Sequence, residues 1–353
     1  MFCFVTGPQG GPVFLKRDTL FSLSCRLKWI IRRVMFADIF ITTLTAMLQI
    51  ALIAIAAAVL LRKHIITDSH VAALTAVTVN VLLPCMVFAN LIRRFDPSEF
   101  AYWPVMPVIS VLLISTGLIL AGALFYRDLG EKRNMLAPAA IQNAGYLILP
   151  LGQMLYPDQF DEFAMYTFLL ILGFNPMLWS VGKFLISTDR HEKVSIKRML
   201  TPPFVASVGT LTIVLLGLHK IPPPGLLDVV VTPIEMLGSA TPPVSMFVLG
   251  AMLATAKWDF RAYWKDAYRI LVVKFVFLPT VMIGTLYCLK IHDSHPLLAS
   301  MLVMQAASAP AVGLMMQVKH YGGNVEKISS IVLLCYLVCI LAMPFWLALW
   351  NTL

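Results

Sequence analysis

Charge is what this sequence has least of. Only 13% of its 353 residues are Asp, Glu, Lys or Arg, against about 25% in an ordinary soluble chain. Its six cysteines, Cys3, Cys25, Cys85, Cys288, Cys335 and Cys339, contain no CxxC pair. The histidines His64, His70, His191, His219, His292, His295 and His320 all fall in loops or at the ends of apolar runs. A metal site is therefore not expected, and the histidines read as solvated surface rather than as pH sensors. HExxH, GxSxG, a Walker loop and a strand-to-helix GxGxxG are all missing, which leaves an intramembrane enzyme and an ATP-driven pump without support.

What is abundant is apolar length. Hydrophobic residues make up 59% of the chain, and the mean hydropathy is +0.83. A hydrocarbon core about 30 Å thick takes about 20 apolar residues per helical span. Ten windows satisfy that, near 39–61, 69–92, 101–126, 135–156, 162–186, 203–218, 227–255, 264–289, 296–318 and 328–350. None has the two-residue alternation of an outer-membrane barrel strand. The reading is an all-α polytopic membrane protein with ten transmembrane helices.

The loops after windows 1, 3, 5, 7 and 9 carry fifteen Lys and Arg, among them Lys132, Arg133, Lys193, Arg269 and Lys327. Those after the even windows carry Arg93, Arg94, Lys220 and Lys290, and the loop after window 4 is acidic with Asp158, Asp161 and Glu162. By the positive-inside rule both termini face outward across the cytoplasmic membrane. Residues 1–34 conflict with this, because Lys16, Arg17, Arg26, Lys28, Arg32 and Arg33 precede window 1. The conflict disappears if translation starts at Met35, so 1–34 reads as a basic extension from a mis-assigned start, with a real basic segment as the alternative. The net charge of +9 suits cytoplasmic loops beside anionic lipid and is no sign of nucleic-acid binding.

Window 4 reads AIQNAGYLILPLG and window 9 reads VMQAASAPAVGLM, so that Gln142 aligns with Gln305 and Gly145 with Ser308. Pro84 and Phe88 in window 2 match Pro243 and Phe247 in window 7, and windows 5 and 10 each carry a late proline, Pro176 and Pro344. An odd number of spans per repeat inverts the second half, which gives a 5+5 inverted repeat. Residues 35–187 form the first half, 188–202 a basic linker and 203–353 the second half. Irregular backbone at membrane depth survives only where protein or a water-filled cavity surrounds it. Gly145 and Pro150 in one half, and Pro310 in the other, would break helices 4 and 9 where they cross. The freed helix ends, with Gln142, Asn143, Gln305 and Ser308, would form a substrate site. Each of these residues taken alone also suits helix packing; recurrence in both halves favours a site.

These motifs resemble the auxin efflux carrier family, which includes plant auxin exporters and bacterial malate or malonate permeases. The similarity rests on MQAASAPAVGLMMQVKHYGGNVEKISSIVLLCYLVCILAMPFW, on NAGYLILPLGQMLYP and on TPPVSMFVLGAML, and it runs from Met35 to the end. The resemblance implies a secondary transporter whose windows 3–5 and 8–10 move as an elevator against a scaffold of 1, 2, 6 and 7, which is also the homodimer surface. It implies that Asn143 binds substrate and that Asp96 and Pro97 support it. Plant members open span 6 with Asn-Pro-Asn where this chain has Thr201-Pro202-Pro203. A bacterial carrier of a small organic anion, a carboxylate such as a dicarboxylate, is thus expected in preference to auxin, although an auxin-like aromatic acid stays open, as does a ligand sensor on the same fold.

Intramembrane charges are functional candidates by default. Lys183 sits near a window end and reads as snorkelling to the interface. Lys274 reads equally as snorkelling or cavity-facing, and Glu235 as a proton acceptor or an interfacial carboxylate. No cofactor is expected beyond H+ or Na+ coupling.

Overall fold

The computed structural model describes residues 3–6, 12–15, 17–187, 200–256 and 259–353, with side chains from Ile30 onward except Pro224. Most of the expected linker, with Arg190, Lys193, Lys197 and Arg198, lies outside the described residues, as do Lys16 and Lys257. Apart from one isolated bridge and a short antiparallel pair, Cys3–Thr6 with Pro12–Leu15, the described chain is helical. Seven helical stretches are long and apolar enough to cross a membrane: Ile30–Arg62, Asp68–Arg94, Val105–Ala140, Pro157–Ile186, Gly225–Ala254, Trp264–Cys288 and Val325–Thr352.

Three expected windows take another form. Window 135–156 is helical only in Leu136–Ala140 and Ile148–Leu155, and window 296–318 only in Pro296–Ala306 and Gly313–Tyr321. Window 203–218 becomes the 14-residue helix Pro202–Leu215, which at 1.5 Å per residue spans roughly 21 Å. Its start is set by Thr201 in extended geometry followed by two prolines, whose missing N–H groups cost nothing in the first turn. The C-terminal helix Val325–Thr352 starts where the Asn324 side chain accepts from the Lys327 N–H at 2.8 Å.

Prolines inside the long helices are absorbed locally. Pro279 cannot donate to the Phe275 carbonyl four residues back, and the chain widens there into a π-turn, Val273–Phe277. The Trp346 indole N–H fills the gap, donating to the Phe275 carbonyl at 2.7 Å. A second π-turn, Thr78–Leu82, precedes Pro84 at the same offset, and a third, Leu178–Gly182, follows Pro176.

Glycine sets how closely helices approach, as expected where lipid gives no hydrophobic drive to association. A Cβ on Gly250 would lie 2.2 Å from the Ala54 Cα, and one on Gly173 would lie 2.1 Å from the Pro107 carbonyl oxygen. These contacts fix Gly225–Ala254 on the first helix and Pro157–Ile186 on Val105–Phe125. Ion pairs tie loops at two separate ends. Arg93 bonds Asp228 and Glu235, and Arg94 bonds Asp161. Elsewhere Asp266 holds Lys132 and Lys327 at 3.0 and 2.6 Å, while Arg269 holds Asp128. Lys183 is buried rather than extended to an interface, with its ammonium 4.9 Å from the centre of the Tyr321 ring.

Gly173→Ala should lower unfolding stability by about 1–3 kcal/mol, because backbone blocks the added methyl. Gly122→Ala, where a Cβ meets nothing within 4 Å, should be neutral or slightly stabilising, within about 1 kcal/mol. Thermal unfolding in one detergent compares the two.

Candidate functional site

The helical path stops at Ala140 and resumes at Ile148, and it stops again at Ala306 and resumes at Gly313. The two unwound stretches lie side by side. Gln142 and Pro310 form an antiparallel bridge, flanked by Asn143 N–H to Ala309 carbonyl at 2.8 Å and Ala311 N–H to Ile141 carbonyl at 3.2 Å. Gln142 and Pro310 thus face each other as a pair that exchanges no backbone bonds, the position where proline removes none from the ladder.

Side chains complete the join. The Asn143 amide donates to the Tyr336 hydroxyl and accepts from the Gly145 N–H at 3.3 Å, while the Tyr336 hydroxyl donates to the Pro310 carbonyl at 3.2 Å. This chain of donors fixes which end of the Asn143 amide is nitrogen. The Cys339 thiol reaches the Ala307 carbonyl at 3.7 Å, and Gln305 reaches the Ala144 carbonyl at 3.5 Å. Gln142, Asn143, Gln305 and Ser308 are all at most 3% exposed.

A cavity of about 150 Å³ opens beside this join. Asn143, Gly145, Tyr146 and Leu149 line it from one stretch, and Ala311, Val312, Gly313 and Met316 from the other. Helices Ile148–Leu155 and Gly313–Tyr321 therefore both begin at its wall, where the helix dipole places partial positive charge, although the N–H groups of Leu149, Leu314 and Met315 already donate to the Gly145, Ala311 and Val312 carbonyls and Pro150 has none. Thr78 and Trp179, on two of the π-turns, line it as well, with Phe174, Asn175, Thr201, Thr241 and Ser245. Asn175 donates to the Thr201 hydroxyl at 3.1 Å. Among the described lining residues none carries a charge. The Tyr146 and Thr241 hydroxyls are buried and have no hydrogen-bond partner among the described residues. The arrangement offers donors and two positive helix ends inside apolar walls, and so suits an anion with an apolar body.

Of the residues expected from sequence, Asn143 and Gly145 line the cavity. Gln142, Gln305, Ser308 and Pro310 build the join behind it, and Pro150 is buried within the resumed helix. The three coupling candidates are placed elsewhere. Asp96 lies in a separate polar cleft of about 490 Å³ with Glu99, Asp158 and Asp161. The Ser98 hydroxyl and N–H hold its carboxyl below the usual carboxylate range. Glu235 is paired with Arg93 at 2.9 Å and is half exposed. Lys274 is fully buried but is not among the cavity-lining residues. Tyr336, Tyr146, Asn175 and Thr241 were missed. The available signal was a polar group in an apolar window, since a buried tyrosine hydroxyl seeks a partner.

A family model described as membrane transport protein matches residues 42–194 and 188–347. No curated protein matches this chain.

Tyr336→Phe keeps the ring but leaves the Asn143 amide and the Pro310 carbonyl without their shared hydroxyl. It should cost about 1–3 kcal/mol. In thermal unfolding, its effect combined with Asn143→Ala should be less than the sum of the two, because both remove one contact.

Proposed function

Because the chain belongs to the auxin efflux carrier family of membrane transport proteins, we propose that it is a secondary active transporter that moves a small organic anion, a carboxylate, across the cytoplasmic membrane. The observation that carries this reading is the convergence of two helix N-termini on one neutral cavity that also holds the hydroxyls of Tyr146 and Thr241, which have no partner among the described residues. A carboxylate there faces the positive ends of both helix dipoles and replaces its water shell with one remaining N–H of Asn143 and the two hydroxyls.

The neutral lining also limits the substrate. One negative charge is matched by the helix ends, whereas a second carboxylate would be buried against Leu149, Ile171 or Met252 without a cation. A monocarboxylate with an apolar body is therefore favoured over a dicarboxylate. Phe174, Trp179 and Tyr146 on the wall favour an aromatic acid as a second reading.

In this account the chain forms ten spans as a 5+5 inverted repeat, residues 35–187 and 203–353, with the interruptions at 141–147 and 307–312 as broken helices 4 and 9 that cross. The domain carrying the crossing moves as an elevator within a homodimer, both termini face outward, and H+ or Na+ supplies the coupling. The matched placement of the two interruptions supports the repeat, and the location of the cavity between the join and the Asp68–Arg94, Pro202–Leu215 and Gly225–Ala254 helices supports alternating access.

Uptake of radiolabelled carboxylates into proteoliposomes, with protein-free vesicles as baseline, tests this. Benzoate should be taken up faster than malate, and Asn143→Ala should lower that uptake about 10- to 100-fold through loss of a hydrogen bond to a charged group. No carboxylate flux above baseline, or flux unchanged in Asn143→Ala, would contradict it.

A further inference from the structure

Lys274 has no role in the site described so far. It lies near the middle of Trp264–Cys288, on the π-turn Val273–Phe277. The side chain is 0% exposed, and its amine has no hydrogen-bond partner among the described residues. A buried unpaired ammonium is among the costliest groups a helix bundle can hold, so a charge here calls for a counter-ion.

Among the described residues, the elements packed most closely on the turn do not supply one. Val105–Phe125 and Leu136–Ala140 present no ionisable side chain. On the lysine's own helix, Asp266 is engaged by Lys132 and Lys327, and Arg269 by Asp128. The C-terminal helix packs on the turn through Trp346 and carries the buried thiols of Cys335 and Cys339. Those thiols bracket Tyr336, whose hydroxyl ties Asn143 to Pro310. Leu136–Ala140 runs directly into the unwound stretch. The turn that carries the amine thus packs on elements that lead to the join and the cavity wall.

We propose that Lys274 is the proton carrier of the transport cycle, taking up one proton from water as a carboxylate enters the cavity and releasing it when the carboxylate leaves. Charge balances at each stage. With the cavity empty the amine is neutral and adds no charge; with it filled, the ammonium and the carboxylate are both present and their sum is zero. One anion and one proton then cross together without net charge movement. Linkage requires the effect to be mutual: a proton on Lys274 strengthens carboxylate binding by the same factor as a bound carboxylate strengthens protonation. This inference rests on the cavity being a carboxylate site.

The test is calorimetric titration of the full chain in lipid nanodiscs with benzoate, propionate, malonate and malate, in two buffers of different ionisation enthalpy, from pH 6 to 9. For the tightest of the four, the wild type should take up close to one proton per bound anion above neutral pH, with affinity falling up to about tenfold per pH unit there. Lys274→Met should bind more weakly, with no proton uptake and no pH dependence. Lys274→Arg, permanently charged, should also bind without proton uptake. If Lys274→Met fails to fold, Lys274→Gln takes its place.

Carboxylate binding by the wild type without proton uptake, or uptake that persists in the variants, would overturn the role of Lys274 and leave the cavity reading standing. Failure of the wild type to bind any of the four strikes the cavity reading itself, and Lys274 with it.

Discussion

Where water is excluded, a backbone N–H or C=O without a partner costs several kcal/mol, and the rest of this structure depends on how that demand is met at 141–143 and 309–311. Each stretch leaves helical geometry and then pairs with the other, Asn143 N–H to Ala309 and Ala311 N–H to Ile141. Neither interruption has this solution alone. Pro310 occupies the one place in the pair where no N–H is needed, and Tyr336 takes up the Pro310 carbonyl and the Asn143 amide together. Once the backbone is secured in this way, two helices can begin inside the bundle, and their N-terminal ends become available to a ligand.

The same economy governs charge. Ion pairs gather at the ends of the helices, where Arg93, Arg94, Asp266 and Arg269 meet their partners. Pairs as exposed as Arg94 with Asp161 contribute at most about 1 kcal/mol each, so they orient loops more than they hold the bundle. The cavity wall is neutral, and its positive potential comes from peptide dipoles rather than from Lys or Arg. Lys274 departs from this pattern, and its departure is the reason to assign it a part in the proposed cycle.

Much of this was legible in the residues. Gln142, Asn143, Gly145 and Pro310 stood out because amides and helix breakers in apolar windows need an explanation, and the structure brings all four to the join. Their pairing was not legible, since an antiparallel bridge between Gln142 and Pro310 depends on how distant segments fold together and leaves no local periodicity. Tyr336 and Thr241 were hidden because each looks like an ordinary member of a buried helix until its partner, or the lack of one, is known. Asp96 and Glu235 were marked by charge, but charge does not report depth or neighbours; Ser98 and Arg93 decided their placement. Helix length was overread at 203–218, where Thr201 and the prolines fix the start and Gly217, in left-handed geometry, follows the end at Leu215.

In the proposed cycle a carboxylate sits between the starts of the Ile148–Leu155 and Gly313–Tyr321 helices. A cryo-EM or crystal structure with 4-bromobenzoate, located through its heavy atom, tests it most directly. The carboxylate is expected against Asn143, Gly145 and Gly313, with the bromine directed toward Phe174 and Trp179. A ligand found instead in the polar cleft beside Asp158 and Glu162, with the space at the join left empty, would contradict it.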